Sequence, residues 1–171
     1  MSRSQRIQTQ RLLREAEGYL ELKMPKQALA VVDRLADPGT SRGTALYLRG
    51  EALRMLHRYR TALAPLEDAA DLSPSNIQIW LALGWCFKRT GQLRMAIATI
   101  EKALDVQPFQ PLLHYNLACY FSLAGEKQRA IRSLSNALDL DEDYRYLVAD
   151  EPDFDSLRAN PEFLSLTSII V

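Results

Sequence analysis

Residues 77–110 read IQIWLALGWCFKRTGQLRMAIATIEKALDVQPFQ, two helical patterns parted by a break at Thr90-Gly91. Trp80, Leu83 and Phe87 fall at i, i+3 and i+7, which puts three large side chains on one face of a first helix. The small Gly84 and Ala96 let a second helix approach closely. Ala103 leaves room for a following element, and Pro108 ends the second helix because it has no amide hydrogen to donate.

The same columns recur when the chain is laid on itself at an offset of 34 residues. Gly50 aligns with Gly84, Ala62 with Ala96 and Ala130, Ala69 with Ala103 and Ala137, and Pro74 with Pro108. Residues 43–76 form a copy built on Leu46, Gly50, Leu53, Ala62, Leu66, Ala69 and Pro74, with Arg49 in the leucine column. Residues 111–144 keep Leu117, Phe121, Ala130, Leu134 and Ala137, but His114 stands in the Trp column, Ala118 in the Gly column and Glu142 in the closing Pro column. Residues 9–42 are a degenerate first copy with Leu12, Ala16, Tyr19, Ala28 and Val32. There Pro25 starts the second helix and Pro38 closes it slightly early. Breaks at Lys23-Met24-Pro25, His57-Arg58-Tyr59, Thr90-Gly91 and Ala124-Gly125 then predict eight helices paired as hairpins.

The spacing in residues 77–110 resembles the tetratricopeptide repeat, W-x2-L-G-x2-Y followed by A-x3-F-x2-A and P, with Phe87 for Tyr and Ile100 for Phe. The resemblance implies an all-α fold, a right-handed superhelical solenoid of helix hairpins with four repeats over residues 1–144. After Asp139 the period is lost. Phe154, Leu157, Pro161, Phe163 and Leu166 have a spacing similar to the closing segment of many bacterial proteins of this family. Residues 145–171 are therefore expected to form capping helices, started at Pro152 and Pro161, since a last repeat would otherwise expose its stacking face.

Composition narrows the function classes. The 171 residues are 47% hydrophobic and 25% charged, enough for a globular core. Twenty-one basic residues balance 21 acidic ones, so no global positive field gathers a nucleic acid. The charges divide unevenly, with 12 basic against 6 acidic residues in 1–60 and 9 against 15 in 61–171, which would make an extended molecule a dipole. The N-terminal stretch MSRSQRIQTQRLL lacks the apolar core of a secretory signal, and no run suffices to span a bilayer. Cys86 and Cys119 stand without a CxxC partner, against a disulfide framework or zinc site. A cytoplasmic protein in a reducing compartment is the expectation.

Catalytic chemistry finds no support in these residues. His57 falls in a turn and His114 at a packing position, neither with the spacing of a metal or nucleophile site. The acidic run from Asp139 to Asp150 superficially resembles a calcium loop, but Tyr144 holds the sixth position, where Gly makes the turn, and Asp150 the twelfth, where Glu is usual. It reads as a solvated acidic surface. Arg49, Arg54, Arg58 and Arg60 form a basic run that a helix pair ordinarily exposes, with no interleaved aromatic platform. No catalytic residue, cofactor or metal is expected.

In the family resembled here, first helices line the inner wall of the superhelix and face the bound segment. Carried across position by position, that wall comprises Tyr47, Glu51 and Arg54, then Leu81, Trp85, Lys88 and Arg89, then Tyr115, Asn116 and Cys119. Trp85 stands out because Trp80 already fills the packing position of its repeat. The residues of a carboxylate clamp are absent, since Leu13, Glu17, Leu48, Gln78 and Ala82 occupy its places, or, one repeat later, Tyr47, Glu51, Ala82, Leu112 and Asn116. The resemblance thus implies an adaptor or scaffold that binds a peptide or helical segment of a partner protein, without nucleic acid and without membrane insertion. Two alternatives stay open: a secretion chaperone like those of type III translocators, and a self-assembling protein. The latter would join through its charged halves or its apolar end, Leu164 to Val171. The alternative for the three wall aromatics is that they pack on one another, on the chain's carboxy-terminal tail or on a second copy of the protein.

Overall fold

The computed structural model describes residues 2–35 and 38–168. Eight helices occupy the hairpin positions: α1 (Arg3–Glu21), α2 (Pro25–Val32), α3 (Arg42–Met55), α4 (Tyr59–Leu72), α5 (Ile77–Arg89), α6 (Leu93–Val106), α7 (Pro111–Leu123) and α8 (Lys127–Leu140). Two short helices follow, α9 (Tyr144–Val148) and α10 (Pro161–Thr167), and 3-10 turns lie at Gly39–Ser41 and Pro152–Leu157. No strand occurs among the described residues. Pro152 starts the second 3-10 turn and Pro161 starts α10; α9 was not anticipated. The helix α2 stops at Val32, well before Pro38, and has 8 residues where α4, α6 and α8 have 14.

The 34-residue period is visible in the backbone itself. Lys23, His57, Gly91 and Gly125 all adopt the left-handed conformation, with φ of 57°, 60°, 77° and 76°. This is the residue that lets a helix end and its chain reverse. Around three of these residues the amide one position further on donates back to the carbonyl five residues earlier: Met24 to Tyr19, Arg58 to Leu53 and Glu126 to Phe121. Glycine serves in the later two turns at no steric cost, whereas Lys23 and His57 hold the same geometry against the preference of an L side chain.

The alanine columns are explained by burial. Ala28, Ala62, Ala96 and Ala130 are all fully buried, as are Leu66, Ile100 and Leu134 on the same second helices. Gly50 shows why nothing larger is admitted, because a Cβ there would lie 2.5 Å from Leu66 Cγ.

The chain forms two compact units, residues 1–91 and 92–171. In the first, α1 packs on α2, α2 on α3, α3 on α4 and α4 on α5. The first helices of successive hairpins also touch, α1 with α3 and α3 with α5, so they line one wall. Leu12, Leu13, Ala16, Val31, Val32 and Leu48 are buried in its core, with Tyr47 packed at the edge. In the second unit α6 and α8 pack on α7, the Pro152–Leu157 turn lies against α7, and α9 and α10 lie against α8. Phe154, Leu157 and Phe163 are buried there. Arg145 donates to the carbonyls of Leu166 (2.6 Å) and Ser168 (3.0 Å), and Arg158 to those of Val148 (3.0 Å) and Glu151 (2.9 Å). These bonds satisfy carbonyls that short helices leave open.

His114 has a structural role that its column suggests. Trp80 Nε1 donates to the Pro74 carbonyl at 2.8 Å, and 34 residues later His114 Nε2 makes the same bond to the Pro108 carbonyl at 2.8 Å. A carbonyl can only accept, so Nε2 carries the proton.

Candidate functional site

In residues 1–91 the proposed wall is carried by α3 and α5. Glu51 and Arg54, three residues apart on α3, form a two-pronged pair, Arg54 Nε to Glu51 Oε2 at 2.8 Å and a terminal guanidinium nitrogen to Oε1 at 2.6 Å. This hydrogen bond is the largest influence holding the Arg54 guanidinium above its ordinary value. The two side chains thus satisfy each other, and neither offers a free charge to a partner. Beside them Tyr47 is half-buried, and burial first, then the Glu51 carboxylate, pushes its phenol up to about 12. Cys86 on α5 is buried, and burial pushes its thiol up to about 11 in spite of the nearby Arg54 cation. Such a thiol is inert at neutral pH.

On α5 itself Ile79, Trp80, Leu83, Cys86 and Phe87 are buried, while Trp85 keeps 37% of its surface in solvent. Leu81 beside it is half-buried. The Lys88 ammonium lies 5.1 Å from the centre of the Trp85 ring, a cation–π contact. Arg89 turns instead to Tyr59 at the start of α4, with its guanidinium carbon 5.3 Å from that ring centre.

The remaining expected wall residues lie in residues 92–171, and there the surface is closed. Tyr115 is only 7% exposed, with its ring centre 5.3 Å from that of Tyr144 and 5.7 Å from that of Phe154. Burial drives its phenol well above the ordinary tyrosine range. Cys119 is 3% exposed, and its sulfur lies within 4.8 Å of carboxylate oxygens of Glu151 and Asp153. Asn116 donates to the Leu112 carbonyl at 2.8 Å. Of the alternatives left open for the aromatics, packing on the chain's own C-terminal segment therefore holds for Tyr115. The apolar end named for self-assembly is seen only in part, with Leu164 exposed and residues 169–171 outside the described residues.

The sequence reading missed one concavity. At the α3–α4 turn a cavity of about 570 Å³ is lined by His57, Arg58, Tyr59 and Arg60 and reached by Arg89 from the end of α5. The signal was present as the basic run, but its members separate in space. Arg49 pairs with Asp33 and Arg54 with Glu51, leaving Arg58 and Arg60 at the cavity.

Inside the calcium-like run α8 ends at Leu140, residues 141–143 form a turn, and α9 starts at Tyr144. No helix among the described residues is long and apolar enough to cross a membrane.

Comparison with known proteins agrees with this architecture. Residues 53–118, from the last turn of α3 into α7, match the sequence model of a family described as tetratricopeptide repeat. No curated protein sequence matches the chain. Among solved structures, a crystal structure of MamA is similar with a TM-score of 0.73 and 20% identity over 81% of each chain. MamA from Desulfovibrio magneticus RS-1, residues 41 to the end, gives 0.71 and 18% over 92% of each chain. YrrB, described as a TPR protein with an unusual peptide-binding site, gives 0.67 and 16% over 91% of this chain and 84% of its own. With its repeating left-handed turns, its buried alanine columns and these likenesses, the chain has the fold of tetratricopeptide repeat proteins, and its residues 53–118 match that family's sequence model.

Proposed function

We propose that this protein is an interaction scaffold that holds an extended or helical segment of another protein against the α3 and α5 wall, on Tyr47, Leu81, Trp85 and Lys88. The observation that carries the reading is Trp85. A tryptophan left 37% exposed on a helix whose opposite side is packed keeps a large aromatic surface in solvent, and its desolvation by a partner's apolar side chain is favourable. The mutual pairing of Glu51 with Arg54 supports an apolar occupant, since the wall's buried charges already cancel. The peptide-binding site ascribed to YrrB, which shares the fold, is consistent with such a use. A secretion-chaperone role would be a narrower use of the same wall.

The test is direct. Peptides selected on the intact protein from a random displayed library are measured by calorimetry against wild type and Trp85→Ala, with circular dichroism confirming the helical content of both. Loss of an aromatic anchor costs about 2 kcal/mol or more, roughly thirtyfold in Kd. Binding that is equally tight in a folded Trp85→Ala variant would place the contact elsewhere and overturn the reading.

A further inference from the structure

The cavity at the α3–α4 turn is unlike its counterparts in charge. Arg58, Arg60 and Arg89 all border it, and among the described residues none of the three is paired with a carboxylate. At the corresponding places 34 residues earlier stand Met24, Lys26 and Met55, and 34 residues later Gln92, Arg94 and Leu123. The trio therefore belongs to this turn and not to the repeat. Its geometry is partly fixed. Arg89 is held over the Tyr59 ring, and the Tyr59 hydroxyl meets His57 Nδ1 at 2.7 Å. His57 keeps its imidazole there while holding the left-handed φ of 60° that Gly91 and Gly125 supply in the later turns. Arg58 is also the N-cap of the 14-residue α4, whose first-turn amides receive no side-chain cap.

We propose that this cavity binds a phosphate monoester carried on the partner segment, a phosphorylated serine or threonine. Three guanidinium groups brought together without counter-charge repel one another, and a group that relieves this best has high charge and several acceptor oxygens. A single carboxylate brings one charge. A phosphate monoester brings nearly two, with three oxygens that guanidinium forks engage in pairs. About 570 Å³ accommodates the phosphoryl group and the residue that bears it. The source follows from position, and here the inference rests on the docking reading above. Arg89 stands four residues after Trp85 on α5, on the same side of the helix and about 6 Å along it. A segment seated on Trp85 therefore reaches the arginines within a few residues.

The experiment uses two degenerate peptide libraries, identical except that one carries a central phosphoserine and the other serine, with fluorescence polarisation on the intact protein at physiological salt. The proteins are wild type, Arg58→Ala/Arg60→Ala, Arg89→Gln and Trp85→Ala, all checked for fold by thermal melting. Inorganic phosphate and a single-stranded DNA oligonucleotide serve as competitors. The proposal expects wild type to prefer the phosphorylated library by about tenfold or more. It expects the arginine variants to lose that preference while retaining the serine library, and Trp85→Ala to weaken both libraries alike. Inorganic phosphate should compete only weakly. No preference in wild type, a preference that survives in the arginine variants, or DNA binding tighter than the phosphopeptides would each overturn it. A phosphate preference that persists while neither library responds to Trp85→Ala would instead refute the docking reading and leave the arginine cavity standing.

Discussion

Tyr47 shows how a single residue of the wall registers its surroundings. Burial and the Glu51 carboxylate both disfavour the phenolate, so the folded phenol titrates near 12 where the unfolded one titrates near 10. The folded state thus holds its proton more tightly. Stability from this residue is fully present below pH 10 and is lost as pH rises from 10 towards 12. Melting temperatures of wild type and Tyr47→Phe should accordingly fall apart differently between pH 9 and pH 11. Wild type is expected to lose more, with the loss remaining in Tyr47→Phe set partly by Tyr115, whose phenol is raised by burial as well. Identical alkaline profiles for the two proteins would mean that Tyr47 is not desolvated. Further along α3, the Glu51–Arg54 pair was beyond sequence reasoning. Each residue taken alone qualifies for the wall, and only their rotamers reveal that they consume each other's charge.

At the scale of helices, what was legible in the chain was the packing of hairpins. Glycine and alanine columns mark the places where one helix must approach another, and those columns are the fully buried ones. Gly50→Ala tests this physically. The added methyl would lie 2.5 Å from Leu66 Cγ and 2.6 Å from Cδ2, and Leu66 is completely buried. Overpacking of that kind costs about 1–3 kcal/mol, against a gain of about 1 kcal/mol in helix propensity. The variant is expected to melt below wild type; a rise in melting temperature would show that α3 and α4 can part without cost. Pro65 was not legible in the same way. It sits inside α4, where proline removes a backbone hydrogen bond, yet the helix continues to Leu72. The buried Ala62, Leu66 and Ala69 around it show packing overriding local preference. The C-terminal segment belongs to this scale too. Phe154 is fully buried with its ring centre 5.7 Å from Tyr115 and 5.6 Å from Phe163. Phe154→Ala should cost about 3–5 kcal/mol in urea unfolding, and a cost below about 1 kcal/mol would mean that the segment is not docked as described.

For the molecule as a whole, the period leads to an expectation of four hairpins and a closing segment, and the described residues form eight longer helices followed by α9 and α10. The period could not foretell which part of the wall stays open. The columns of a repeat are the same whether or not a later, non-repeating segment lies on them, so Tyr115 qualified for the wall in sequence as Tyr47 and Trp85 did. The aromatic Tyr144 and Phe154, outside the period, make the difference by covering Tyr115, whereas Trp85 keeps its exposure. With Trp85 as the proposed anchor, the two tryptophans provide their own control. Trp80 is buried with its indole N–H bonded to the Pro74 carbonyl, and Trp85 is not buried. A peptide selected on the intact protein should, in a proton–nitrogen NMR titration, shift the Trp85 indole resonance progressively and leave that of Trp80 almost unmoved. A titration that saturates binding with the Trp85 indole unchanged would contradict the account.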